Sequence, residues 1–113
     1  MITIYHNPRC RKSREALEHL NGLNKPFEVR EYLKNPPDRQ EIIELLKKLG
    51  IKAEDLVRKK EAIFKEKYKD HVSSEDDYIE ALVQDPVLIE RPLVIREKDA
   101  FIARTPESLG KIS

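Results

Sequence analysis

The chain has 113 residues, with 22 Lys+Arg against 21 Asp+Glu for a net charge of +1; 39% of residues are hydrophobic and 38% charged. That length suits one compact domain spanning 1–113, and the near-neutral balance excludes a generally basic nucleic-acid binder and an acidic disordered tail. The one cysteine, Cys10, excludes an internal disulfide and a Cys₂ or Cys₄ zinc site, and makes a reducing cytoplasm the expected home.

Residues 2–6 alternate apolar and polar and break at Asn7-Pro8, which predicts a first strand rather than a signal peptide. From Arg11 the period changes. Ala16, Leu17 and Leu20 share a helical face, with Asn21-Gly22 as a stop. Phe27-Glu28-Val29-Arg30-Glu31-Tyr32 alternates again, so residues 2–32 predict a strand–helix–strand unit with parallel strands. Asn35-Pro36-Pro37 ends it. Asp38 and Glu41 have capping-box spacing ahead of Ile42, Ile43, Leu45, Leu46 and Leu49, and Gly50 closes that helix. Weaker helical spacing covers 53–68. Ser74 caps a further helix that ends at Asp85-Pro86. Leu93-Val94-Ile95 and Ala100-Phe101-Ile102-Ala103 flank a hairpin turn, and Thr105-Pro106 opens a last short helix. The layout is α/β: one mixed four-stranded sheet with a helical insertion at about 38–84. No apolar run approaches the roughly 18 residues of a membrane span, so no membrane partner is expected.

Cys10 falls where the first strand has ended and the first helix begins. Unpaired N–H groups and the positive end of the helix dipole both favour a thiolate there and make the terminus an oxyanion site. Arg9, Arg11, Lys12 and Arg14 surround it, and residues 1–14 carry no Asp or Glu. Ser13 is in reach of the sulfur or of a bound oxyanion. A free cysteine is ordinarily a buried apolar filler; charged neighbours on both sides argue against that reading here. Two other thiol chemistries are excluded by counting. A Cys-x₅-Arg phosphatase loop needs Arg at position 16, which is Ala, and a Cys-x-x-Cys dithiol needs Cys at 13, which is Ser. With no second cysteine, any covalent adduct on Cys10 must be resolved by an external thiol.

The run Ile4-Tyr5-His6-Asn7-Pro8-Arg9-Cys10-Arg11-Lys12-Ser13-Arg14 resembles the active-site segment of the glutaredoxin-coupled arsenate reductase family (the ArsC, Spx and YffB-like group). Tyr32-Leu33-Lys34-Asn35-Pro36-Pro37, Leu56-Val57-Arg58-Lys59, Ile89-Glu90-Arg91-Pro92-Leu93-Val94 and Ile102-Ala103-Arg104 are similar to later segments of that family, in order. The resemblance implies a thioredoxin-like sheet with a helical insertion. It implies Cys10 as nucleophile on arsenate, with Arg58, Arg91 and Arg104 holding the oxyanion. It also implies that His6 helps set the thiol's ionisation, and that a cis peptide at Arg91-Pro92 places Pro92 beside the thiol. No bound cofactor or metal is implied; glutathione is the co-substrate and glutaredoxin the partner. On physical grounds guanidinium groups suit tetrahedral oxyanions, through paired N–H donors and a permanent charge. Arg91 and Arg104 bracket the predicted hairpin and so come to one sheet end, whereas Arg58-Lys59-Lys60 taken alone reads as a solvated helix face, as do Lys65, Lys67 and Lys69. Two other functions go with the resemblance: an Spx-like regulator binding RNA polymerase, and a glutathione-linked redox protein with a different substrate. Ser13 removes the Cys-x-x-Cys switch of many Spx-like relatives and lowers the first of these.

Overall fold

The computed structural model describes residues 2–111. The chain forms two compact units: one takes the residues up to Asn35 and from Arg91 onward, the other Pro36–Glu90.

The first unit is the sheet unit. Its strands are β1 (Ile2–Tyr5), β2 (Phe27–Arg30), β3 (Leu93–Ile95) and β4 (Ala100–Ile102), in the order β2-β1-β3-β4. β1 pairs parallel with β2 and antiparallel with β3, and β3 pairs antiparallel with β4. Helix α1 (Arg11–Asn21) connects the parallel pair, since parallel neighbours need a crossover connection. Alternation along β1 sends Ile4 toward a cluster with Ala16 and Leu20 of α1, Val94 and Ala103, and Leu109 of the last helix packs on the same cluster. Tyr5 points to the opposite face and stacks on Tyr32 at 5.9 Å. The central strand is thus buried on both faces, as a parallel-paired strand requires. β2 ends at Arg30, two residues short of the predicted end. Tyr32 lies in the following turn, fully buried. The expected stop after α1 is present, but Gly22 keeps right-handed dihedrals, and Asn24 at φ 56° takes the left-handed turn into β2, a conformation Asn tolerates.

The second unit is the helical insertion. Asp38 caps α2 (Arg39–Leu49) in the predicted capping box with Glu41, and Gly50 at φ 67° ends it. That left-handed C-cap favours a residue without Cβ. The weak helical stretch divides into α3 (Ala53–Leu56) and α4 (Ala62–Lys67). It breaks because Val57 turns extended and forms an isolated antiparallel bridge with Ile89. Ser74 caps α5 (Glu75–Gln84) in a second box, with Asp77, and a 3₁₀ turn over Pro86–Leu88 follows. α5 packs against α2 and α3, and Ile42, Leu45, Leu56, Ile79, Leu82 and Leu88 are buried. Back in the sheet unit, α6 (Pro106–Gly110) starts from the predicted Thr105 cap, with Pro at its first position. Among the described residues no helix is long and apolar enough to cross a membrane.

Candidate active site

The site is assembled at one end of the sheet, where β1 finishes and β3 begins. The His6 N–H still pairs with the Arg30 carbonyl at 2.8 Å, prolonging the β1–β2 ladder. Asn7 then turns the chain. Its carbonyl accepts from the Cys10 N–H at 2.9 Å and its side-chain oxygen from the Arg9 N–H at 3.0 Å, an Asx turn of the kind Asn favours. The turn delivers Cys10 as the N-cap of α1, extended at φ −95°, ψ 120° and partly exposed.

Burial pushes the Cys10 thiol up, and opposing influences outweigh it to leave the thiol below its ordinary range. They are the Ser13 backbone N–H, then a hydrogen bond and the positive charge from Arg91, then the Lys12 backbone N–H. No cap hydrogen bond of ordinary geometry closes on the sulfur, so the first-turn amides act as aligned dipoles. Arg91 lies two residues ahead of β3, and the antiparallel register Tyr5↔Leu93 brings it to the end of the sheet where β1 leads into the cysteine turn. The hairpin register Leu93↔Ile102 carries Arg104 to the same end, where its guanidinium donates to the Arg91 carbonyl at 3.4 Å. The Arg91-Pro92 peptide is cis, Pro92 is buried, and its carbonyl accepts from the Ala103 N–H at 2.9 Å.

Beneath the turn, the Ser13 hydroxyl is fully buried. It accepts from the Asn7 N–H at 2.9 Å and bonds His6 Nδ1 at 2.7 Å. Burial holds the His6 imidazole below its usual range, against the raising influence of Glu31. A neutral ring can then accept the Ser13 proton at Nδ1.

The ArsC family model matches residues 5–112. The chain belongs to the ArsC family. It is 43% identical over 113 residues to Escherichia coli K12 protein YfgD, covering 98% of this chain and 95% of that one. It is 37% identical over 113 residues to an arsenate reductase of Neisseria meningitidis, with 98% and 97% covered. A solved arsenate reductase from Vibrio cholerae superposes with a TM-score of 0.90 at 36% identity, covering 99% of this chain and 97% of that one. The thioredoxin-like α/β class expected from the sequence is the one observed.

Around Cys10 the structure shows what each of the expected side chains touches. Ser13 assists the sulfur through its backbone N–H, because its hydroxyl is committed to Asn7 and His6. His6 contacts that hydroxyl through Nδ1. The local cations are mostly engaged elsewhere: Arg11 and Lys12 lie 3.4 and 3.5 Å from Glu15, and Arg14 donates to the Pro8 carbonyl at 2.9 Å. The cation at the sulfur is Arg91, some eighty residues away in sequence. Arg58 belongs to the helical unit, where its guanidinium bonds Glu61 at 3.1 Å and Glu90 at 3.3 Å. Asn7, which shapes the cysteine turn, is not among the residues the sequence reading assigns to the site. Its signal was an Asn-Pro pair directly after an alternating strand.

Proposed function

We propose that this protein reduces arsenate to arsenite, with Cys10 as nucleophile and thiols from outside the chain as reductant. The observation that carries the reading is the placement of Cys10 as the N-cap of α1, its thiol held below its ordinary range by the first-turn amides and by Arg91, with the Arg104 guanidinium at 3.4 Å from the Arg91 carbonyl at the same end of the sheet. An anionic sulfur beside fixed cations suits attack on a tetrahedral oxyanion. The named arsenate reductases among the relatives supply the substrate.

The Cys10 thiolate attacks arsenic(V) and forms an S–As bond while a protonated oxygen leaves as hydroxide. A second thiol, glutathione, then attacks the Cys10 sulfur. The S–As electron pair departs with arsenic, which leaves as arsenic(III), and a mixed disulfide remains on Cys10. Glutaredoxin attacks the glutathione sulfur and regenerates the Cys10 thiolate. Two thiols are oxidised to one disulfide, one arsenate is reduced, and the departing hydroxide becomes water by taking a thiol proton. Because the chain has a single cysteine, both later thiols come from other molecules. Arg91 and Arg104 hold the oxyanion. Arg58 is assigned as the third such arginine on the family resemblance, and cytoplasmic glutathione fits the lone reduced thiol.

The test is arsenate-dependent NADPH oxidation in an assay coupled through glutathione, glutaredoxin and glutathione reductase. Wild-type protein should turn over and Cys10→Ser should not. A Cys10→Ser protein that retains turnover contradicts the proposal, as does a wild type with none.

A further inference from the structure

β2 forms one edge of the sheet: the order β2-β1-β3-β4 gives it β1 as its one strand neighbour. The Arg30 carbonyl accepts from the His6 N–H at 2.8 Å, so the backbone groups of Arg30 face β1. Both groups of a residue point to the same side of its strand, and that side alternates along the chain. Glu28 therefore faces β1 as well, and Val29 between them presents its N–H and C=O to the outside. Among the described residues neither group has a backbone partner. Such an edge is a template for a further strand. Among the described residues two large hydrophobic side chains are exposed, Val29 at 45% and Leu33 at 42%, and they lie on this strand and just beyond it.

Charges on an edge strand ordinarily block the addition of another strand. The signs on β2 do the reverse for one arrangement. The register partners Thr3 and Tyr5 place Glu28 and Arg30 on one face of the sheet, and Ile4 places Val29 on the other. Glu28 is exposed and makes no ion pair among the described residues. The Arg30 Nε donates to the Asn35 carbonyl at 3.0 Å and its guanidinium lies 5.4 Å from the Tyr5 ring centre, which hold the side chain at the end of β2. The edge thus reads minus, apolar, plus. Turned end for end, the same sequence reads plus, apolar, minus, so β2 is complementary to an antiparallel copy of itself.

We propose that two copies of this chain pair through β2, antiparallel, about a two-fold axis at Val29. The two Val29 residues exchange both backbone hydrogen bonds, as a closely bonded antiparallel pair does. Glu28 of each copy then stands opposite Arg30 of the other, with Cβ atoms about 4.5–5.5 Å apart. The Val29 side chains meet on the opposite face. Moving the axis to Glu28 or Arg30 would set like charges against each other and bring β1-facing backbone groups to the axis. A parallel copy in register would also oppose Glu28 with Glu28. The strands are four residues long, so the contact falls at the small end of interface sizes and the dimer is a weak one.

The test is sedimentation equilibrium of the reduced protein from about 10 µM to about 1 mM, the range that reads a weak association. Reductant prevents a Cys10 disulfide between chains. The average mass of the wild type should rise toward that of a dimer. Val29→Pro removes the outward N–H without touching the β1 ladder, a place where an edge strand tolerates Pro. It should weaken association about tenfold or more, the scale of the two lost backbone bonds. Glu28→Arg and Arg30→Glu each set like charges opposite one another and should each weaken self-association. An equimolar mixture of these two variants should associate more tightly than either alone, because the mixed pair restores opposite signs on both sides of the axis. Val29→Lys, at an exposed position, should also weaken association and covers the case in which Val29→Pro or Arg30→Glu does not fold. A wild type that stays monomeric to about 1 mM, association unchanged in the Val29 variants, or folded charge variants whose mixture gains nothing overturns the β2 pairing. Arsenate turnover enters none of these readouts, so this inference and the proposed function fail separately.

Discussion

Arg91 and Arg58 are the same side chain put to different use in the two units. In the sheet unit, Arg91 directs its charge to a cysteine sulfur, and beneath that sulfur a buried hydroxyl, imidazole and amide share hydrogen bonds. In the helical unit, Arg58 is held between two carboxylates, and most other polar groups serve as caps or surface ion pairs such as Arg39–Glu80 and Lys67–Asp85. The sheet unit therefore concentrates polar groups in its interior near the lone cysteine, whereas the helical unit buries apolar side chains and satisfies its charges at the surface. Interior polar groups are costly when unpaired. A sharp difference in sensitivity to substitution follows.

The largest expected effect is at Arg91. Under the proposed function Arg91→Ala removes a positive charge that lowers the thiol and one of the proposed oxyanion ligands, so kcat/KM for arsenate should fall about 10- to 100-fold or more, the scale of one or two charged hydrogen bonds. Arg104→Ala should chiefly raise KM, and Arg58→Ala should raise it less than Arg91→Ala. Steady-state kinetics ranks the three, and an Arg58→Ala effect equal to that of Arg91→Ala would break the contrast.

Ser13→Ala comes next. It leaves the Asn7 N–H and His6 Nδ1 buried without their shared partner, so denaturant unfolding should show a loss of about 1–3 kcal/mol. The thiol should also ionise less readily as the turn loosens. A variant with unchanged stability and an unchanged thiol titration would remove the buried network from the account. In the helical unit, Asp38→Ala should cost about 1 kcal/mol through the lost N-cap, with kcat/KM for arsenate unaltered.

The smallest effect is a titration. Burial lowers the folded-state pKa of His6 below the unfolded 6.5. Between those two values the unfolded chain binds more protons, so this contribution is intact above pH 6.5 and is lost as pH falls through the folded pKa. Stability measured down from pH 7 should decline through this window, and His6→Asn should flatten that part of the curve. A profile identical in the two proteins would contradict the neutral-imidazole assignment.

Much of the fold could be read from the sequence because its signals are local. Asp38 with Glu41, Ser74 ahead of its helix, and Thr105-Pro106 mark helix starts through contacts within three or four residues. Break points set by distant partners were harder to read. Val57 leaves helical geometry to pair with Ile89, and alternation past Arg30 does not continue the strand because Tyr32 turns in to stack on Tyr5. The same division holds in the site. The cysteine's place at a helix start follows from Asn7-Pro8 and the change of period at Arg11. Which cation meets the sulfur depends on strand register, and neighbouring charges mislead because Glu15, one turn further along, pairs with two of them. Ser13 lies near the cysteine in sequence and on the buried face of the helix, so its hydroxyl faces His6 while its amide serves the sulfur.

The central claim is that the sheet unit holds the Cys10 thiol below its ordinary range through Arg91 and the first turn of α1. Its most direct test is the ultraviolet absorbance titration of the lone thiol in wild type and in Arg91→Ala. The account predicts a wild-type midpoint below the roughly 8.5 of a free cysteine, moving upward in Arg91→Ala. A wild-type midpoint at or above the free value, or one that Arg91→Ala leaves in place, would contradict it.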